Sequence, residues 1–283
     1  MTWCVFALLV SGISIVAQTT ADHQAVFANL GREADLFERS AYRVVGRERL
    51  TQTVPDGVRI GRGMRGIETR LPGFTREIVS QYGFVSLDEP GGTIKEVRHV
   101  LEVDGQTWTK KTKSLSSLAQ EITGKDEKGR RRALERFEEY GLHGFVTDLG
   151  QLILLFARNG GQRYELRYDK TEAGLWVYTY QQLEGKEALT IYGEGAQATR
   201  QKLKGRFWVE PHHKLPVRIS FESERIIDDI PVRDISVVEY AKSKFGYLLP
   251  ERIKHQQFIG AMLYVTDEFV YSHFREVLPG GRR

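Results

Sequence analysis

With 283 residues, 41% of them hydrophobic and 28% charged, the chain can bury a large core and lacks the polar bias of a disordered protein. A formal net charge of +4 is slight for this length and, with the export signal read below, argues against a nucleic-acid partner. The single cysteine, Cys4, lies inside the first apolar run, so removal of that run leaves no disulfide, no thiolate metal ligand and no thiol nucleophile, and no lipid anchor is expected.

That first run, residues 3–16, is too short to span a bilayer and is followed by the small residues Ala17 and Ala21. Residues 1–21 are therefore predicted to be a secretory signal peptide, although no positive charge precedes Trp3; the competing reading is a buried N-terminal helix. Residues 22–283 are then one exported, β-rich domain, periplasmic or otherwise outside the cytoplasm. Val26, Phe27, Leu30, Ala34, Leu36 and Phe37 recur at helical spacing and predict a helix over 23–39. From Tyr42 the pattern changes to β-branched alternation up to the turn Pro55-Asp56-Gly57. Strands follow at 75–87 and 96–103, separated by Glu89-Pro90-Gly91-Gly92 and closed by Asp104-Gly105.

The middle of the chain predicts a helical insertion over about 114–157, with helices at 114–123, 129–140 and 147–157, the last capped by Thr147 and stopped by Gly160-Gly161. Leu149, Leu152, Ile153, Leu154, Leu155 and Phe156 make that last segment apolar almost all round, which requires burial. The second half alternates strongly. Tyr164, Leu166 and Tyr168 mark one strand and Val217, Ile219 and Phe221 another, with further strands at 175–182, 205–210, 232–241, 248–258 and 263–277. Short connections favour an antiparallel meander.

The usual marks of catalysis are missing. Gly61, Gly63 and Gly66 match a dinucleotide fingerprint by letter, but 67–71 followed by Pro72-Gly73 does not open a helix. His212 and His213 follow Pro211 and read as a turn, since neighbours on a strand point to opposite faces and would not share an ion. His99, His143, His255 and His273 have no short ligand spacing, and Asp228-Asp229 reads as a hairpin connection. No serine-hydrolase elbow, zinc-protease motif or phosphate loop occurs. The reading is a protein that is not an enzyme, with no catalytic residues, no cofactor and no metal.

Basic residues cluster at Lys125, Lys128, Arg130, Arg131, Arg132 and Arg136; they suit peripheral contact with an anionic membrane, against the simpler reading of a solvated face balanced by Glu135, Glu138 and Glu139. Trp176, Tyr178 and Tyr180 share one face of a strand, and Phe207, Ile219 and Phe221 supply apolar faces on two others. On the concave side of a curved sheet these six would line a site for an apolar ligand; the plainer alternative is a filled core.

The segments 76–84, 97–105, 205–211 and 271–275 resemble a family of exported bacterial proteins. The C-terminal half, with Phe207-Trp208-Val209-Glu210-Pro211, Val237-Val238-Glu239-Tyr240 and Gly246-Tyr247-Leu248-Leu249-Pro250-Glu251, is similar to the lipoprotein-carrier superfamily that includes LolA, LolB and RseB. The resemblance implies an α+β fold, a large curved antiparallel sheet forming an open half-barrel with helices packed on its concave side. It also implies a non-catalytic carrier or binding protein for a lipid, an acyl chain or a lipidated polypeptide. A second reading is an envelope sensor or scaffold that holds a protein partner on the curved sheet or its edge.

Overall fold

The structure is a computed structural model that describes residues 6–62, 68–86, 94–108, 139–144, 146, 148–157, 164–183, 189–192, 198–201, 203–227 and 229–277. The helix α1 covers Phe6–Ser40. A 3-10 turn at Ala41–Arg43 leads into β1 (Val44–Val54), then β2 (Val58–Arg62), β3 (Glu68–Leu71), β4 (Phe74–Ser86), β5 (Ile94–Val103) and β6 (Gln106–Thr107). After a second 3-10 helix, Leu152–Phe156, come β7 (Tyr164–Glu172), β8 (Leu175–Gln182), β9 (Leu189–Tyr192), β10 (Ala198–Gln201) and β11 (Lys204–Glu210). The last four strands are β12 (Leu215–Ile227), β13 (Ile230–Lys242), β14 (Leu248–Ile259) and β15 (Met262–Glu276).

Eleven of these strands form one open antiparallel sheet in the order β6-β5-β4-β1-β15-β14-β13-β12-β11-β8-β7, while β2–β3 and β9–β10 are separate hairpins. Most neighbours in space are neighbours in sequence, as short hairpin connections require. Of the three exceptions, β4–β1 and β11–β8 each skip a separate hairpin, and the third sets the shape: the last strand, β15, returns to pair with β1 along nine positions, joining the N-terminal strands to the C-terminal meander.

Alternation decides which face is buried. Along β1, Val44, Gly46, Glu48, Leu50, Gln52 and Val54 are all buried while Arg47, Arg49 and Thr53 are exposed. Register then aligns Tyr178, Phe207, Ile219, Val238, Ile253, Phe269, Leu50 and Ile78 directly opposite one another across eight consecutive strands, from β8 to β4. This apolar row is the floor of the core. A one-residue slip in any strand would turn its contribution to solvent, so the row fixes the register as much as the register fixes the row.

The helix α1 lies over that floor, burying Val26, Leu30, Ala34 and Phe37 at spacings of three and four. His23 meets Tyr178 on β8, and Phe37 meets Phe84 on β4. The helix between them advances about 21 Å, whereas seven steps across a flat sheet would cover roughly 34 Å. Curvature of the sheet and the aromatic side chains at both ends take up the difference, giving a half-barrel with the helix on its concave side. The helix expected at 23–39 is thus present and continues back to Phe6.

Two local expectations need correction, and one hairpin lay outside them. The α-helix expected over 147–157 is a turn followed by the short 3-10 helix, because the sheet supplies the hydrogen-bond partners that an α-helical ladder would otherwise provide, and Asp148 takes a positive φ of 65°. Its predicted burial is present all the same: Leu149, Leu152, Ile153 and Phe156 all lie in the core. Tyr168, expected on the buried face of its strand, does turn toward His23 and Tyr178, yet it is 42% exposed because β7 is an edge strand. The β9–β10 hairpin was not anticipated from the sequence. The helices expected at 114–123 and over 129–138, the caps Thr147 and Gly160-Gly161, and the basic cluster from Lys125 to Arg136 lie outside the described residues.

Candidate functional site

The six residues expected to line a ligand site do share the concave face. Tyr178, Tyr180, Phe207, Ile219 and Phe221 are buried and Trp176 is half-buried beside His23. Tyr178 stacks flat on Phe207 at 4.9 Å, and Phe156 from the 3-10 helix meets Tyr180 at 5.6 Å and Phe207 at 5.3 Å. Gly205 stands opposite Tyr180, where a Cβ would lie 2.1 Å from the Ser220 carbonyl oxygen; its absence lets the tyrosine cross the strand and donate to that oxygen at 2.7 Å. The floor therefore carries α1 and the segment 148–157 as its cover. His23 Nδ1 and the Tyr178 hydroxyl, 2.7 Å apart, join α1 to the floor.

That cover is attached by polar groups. Glu96 on β5 accepts the Gly150 N–H at 2.6 Å, the Asp148 N–H at 2.9 Å and the Tyr82 hydroxyl at 2.8 Å. A Cβ on Gly150 would meet Tyr82 and Glu96 within 2.7 Å, so only glycine brings the backbone this close. Asp148 in turn accepts Lys95 at 2.7 Å and the Glu96 N–H at 3.1 Å. Tyr240 on β13 donates to the Gly150 carbonyl at 3.1 Å and accepts the Ile153 N–H at 3.0 Å. Gln52 exchanges two bonds with the His143 backbone, at 2.8 and 2.9 Å.

Behind these attachments lie two buried charge networks. In the first, Arg98 holds both oxygens of Glu48, at 2.8 and 2.9 Å, and reaches Glu96 at 2.9 Å. Burial pushes the Glu96 carboxyl above its ordinary range despite the attraction of Arg98. The Tyr82 phenol is raised well above its ordinary value, by burial first and by Glu96 second, so it remains a donor. In the second network, His255 bonds Asp234 and Asp267, each at 3.1 Å, with all three groups fully buried. Gln257 donates to Asp234 at 2.8 Å, Arg225 also pairs with Asp234, and Gln52 donates to Asp267 at 2.7 Å. Burial alone would lower the His255 pKa; hydrogen bonds and charge from the two aspartates outweigh it and raise the value to about 9.

Sequence reasoning missed both networks. A signal was nonetheless present: Glu48, Gln52, His255, Asp234 and Asp267 each occupy an inward place in an otherwise apolar alternation. A polar group in that phase must be paired or it costs several kcal/mol, on the order of 2–7. Of the scattered histidines, His255 is a member of the second network and His143 reaches it by its backbone through Gln52. The predicted turn at His212 and His213 is present, and there Glu210 joins them to give a carboxylate and two imidazoles whose ligand atoms lie within 4.8 Å of one another. The glycine-rich match at 61–66 runs from the end of β2 into residues outside the description, and the segment beyond it is the strand β3 rather than a helix. Asp229 stands in the β12–β13 turn at φ 62°.

Comparison with known proteins finds no matching protein family and no matching curated protein. Among solved structures, the chain is similar to a LolA superfamily protein from Nitrosomonas europaea, at 13% identity and a TM-score of 0.34, over 88% of this chain and 93% of that one. No helix of the described residues is long and apolar enough to cross a membrane.

Proposed function

We propose that the chain is a non-catalytic carrier or binding protein for a lipid, an acyl chain or a lipidated polypeptide, exported to the periplasm with residues 1–21 as its signal segment. One observation carries the reading: an apolar floor shared by eight strands is covered by a short apolar segment, 148–157, which polar bonds rather than a continuous helix hold in place. Leu152, Ile153 and Phe156 sit where an acyl chain would lie. Exchange of one apolar occupant for another conserves burial, worth about 25 cal/mol per Å² on either side. A ligand can then replace the cover without exposing the floor. Trp176, Tyr178, Tyr180, Phe207, Ile219 and Phe221 are the lining residues on this reading.

The test is uptake of palmitate or a lysophospholipid by delipidated protein lacking residues 1–21, followed by native mass spectrometry. One acyl ligand per chain is expected. Tyr240→Phe, which removes the phenol from Gly150 and Ile153, loosens the cover and should increase the rate of uptake severalfold. Absence of uptake by both wild type and Tyr240→Phe, with both folded by circular dichroism, would remove the proposal.

A further inference from the structure

The turn between β11 and β12 gathers three donors of metal-ligand type. Glu210 accepts the backbone N–H of His212 at 2.8 Å and of His213 at 2.6 Å, and His213 Nδ1 lies 2.9 Å from the same carboxylate. The His212 and His213 rings are 4.5 Å apart, edge to face. Those bonds hold the Glu210 carboxylate in place beside the two imidazoles. The strand geometry that would separate adjacent histidines does not apply, because both stand in a turn.

The main chain under these donors is fixed. Lys214 N–H donates to the Glu210 carbonyl at 2.8 Å, and the Lys214 ammonium pairs with Asp22 at 2.6 Å. Asn29 on α1 donates to the carbonyls of His213 and Lys214, at 3.3 and 3.4 Å. The histidine side chains, by contrast, are open to solvent. An imidazole nitrogen and a carboxylate oxygen at 2.9 Å need a positive particle between them, either a proton or a cation, since two lone pairs repel.

We infer that Glu210, His212 and His213 form a surface site for a divalent transition ion of the zinc, nickel or copper type, the ion taking the place of the proton at His213. Two imidazoles and one carboxylate match the borderline preference of these ions, whereas magnesium and calcium prefer oxygen alone. Ligands at about 2.0–2.1 Å from a tetrahedral ion stand roughly 3.3 Å from each other. Rotation of the exposed His212 side chain supplies the closure needed from 4.8 Å. Three protein donors leave a coordination position for water or for a donor from another molecule.

Isothermal titration of tag-free protein with Zn²⁺, in parallel with Mg²⁺, tests the assignment. The expected result is one Zn²⁺ per chain, bound more weakly in acid, where protons compete with the ion for the same donors. Affinity should drop roughly tenfold or more in His212→Ala and in His213→Ala, and also in Glu210→Gln, whose amide oxygen can still accept a backbone N–H of the turn. Circular dichroism of each variant should be unchanged. Failure to bind Zn²⁺, equal binding of Mg²⁺, or Zn²⁺ binding that persists unaltered in the His212→Ala/His213→Ala double variant would each overturn it.

Discussion

The two buried networks differ in charge balance. Asp234 and Asp267 share the interior with His255 and Arg225, two negative groups with two positive at neutral pH, and they join β12, β13, β14 and β15 to one another. Glu48 and Glu96 share one guanidinium, Arg98, and the Glu96 pKa stays raised because burial, with the nearby Asp148 and Glu48 charges, outweighs the attraction of Arg98. The balanced network lies within the sheet; the unbalanced one faces the cover, where Gly150 and Asp148 donate backbone N–H groups to Glu96. The contrast teaches that the sheet is locked by paired charges while the cover is held by a carboxylate whose ionised form is only partly compensated.

The largest effect is expected from Arg98→Leu. Loss of the cation that bridges Glu48 and Glu96 leaves two buried carboxylates facing each other, which should cost about 3–5 kcal/mol in urea unfolding. A cost below about 1 kcal/mol would show that the two carboxylates are reached by solvent and that the networks do not differ as described.

The balanced network predicts a pH dependence of opposite origin. The His255 pKa is raised from 6.5 to about 9, so its stabilising effect is complete below pH 6.5 and is lost as pH rises through about 9. The Asp234 carboxyl is lowered although burial opposes this, because its bonds to His255 and the charges of His255 and Arg225 outweigh the burial; its contribution is present above its ordinary pKa and is lost on acidification. Stability should therefore fall by roughly 3 kcal/mol between pH 6.5 and pH 9 or slightly above. In His255→Gln that slope should be absent; an identical slope in the variant would assign the dependence to other groups.

The smallest effect sharpens the comparison at the cover. Glu96→Gln removes the surplus charge but turns an amide donor toward one of the donors that Glu96 now accepts, so the two changes offset and the net cost should be about 1 kcal/mol. Exchange of the Gly150 amide proton should nevertheless accelerate, because its bond is one of those in competition. An unchanged Gly150 exchange rate would show that Glu96 does not hold the cover.

How much of this was legible follows from the range of the interactions concerned. The alternations that define β4, β5, β8, β11 and β12–β15 are local, and their predicted positions agree with the observed strands within a few residues. Burial of Leu149, Leu152, Ile153 and Phe156 was equally legible, because an apolar run must leave water whatever its conformation. Its 3-10 form was not, since Glu96 and Tyr240, 54 and 87 residues distant from Gly150 and Ile153 respectively, provide the partners that replace an α-helical ladder.

By itself the sequence determined the antiparallel β-rich class, the seven second-half strands that join the large sheet, the helix over 23–39 and the inward phase of Tyr178, Tyr180, Phe207, Ile219 and Phe221, because side-chain alternation and helical spacing act over a few residues. Only the tertiary structure decided that β15 lies against β1, that α1 and 148–157 cover the concave floor, and that Asp234, His255 and Asp267 meet. Those outcomes depend on closing loops of tens to hundreds of residues and on pairing buried charges across separate strands; a short window can show that a polar residue faces inward, but not which distant strand supplies its partner.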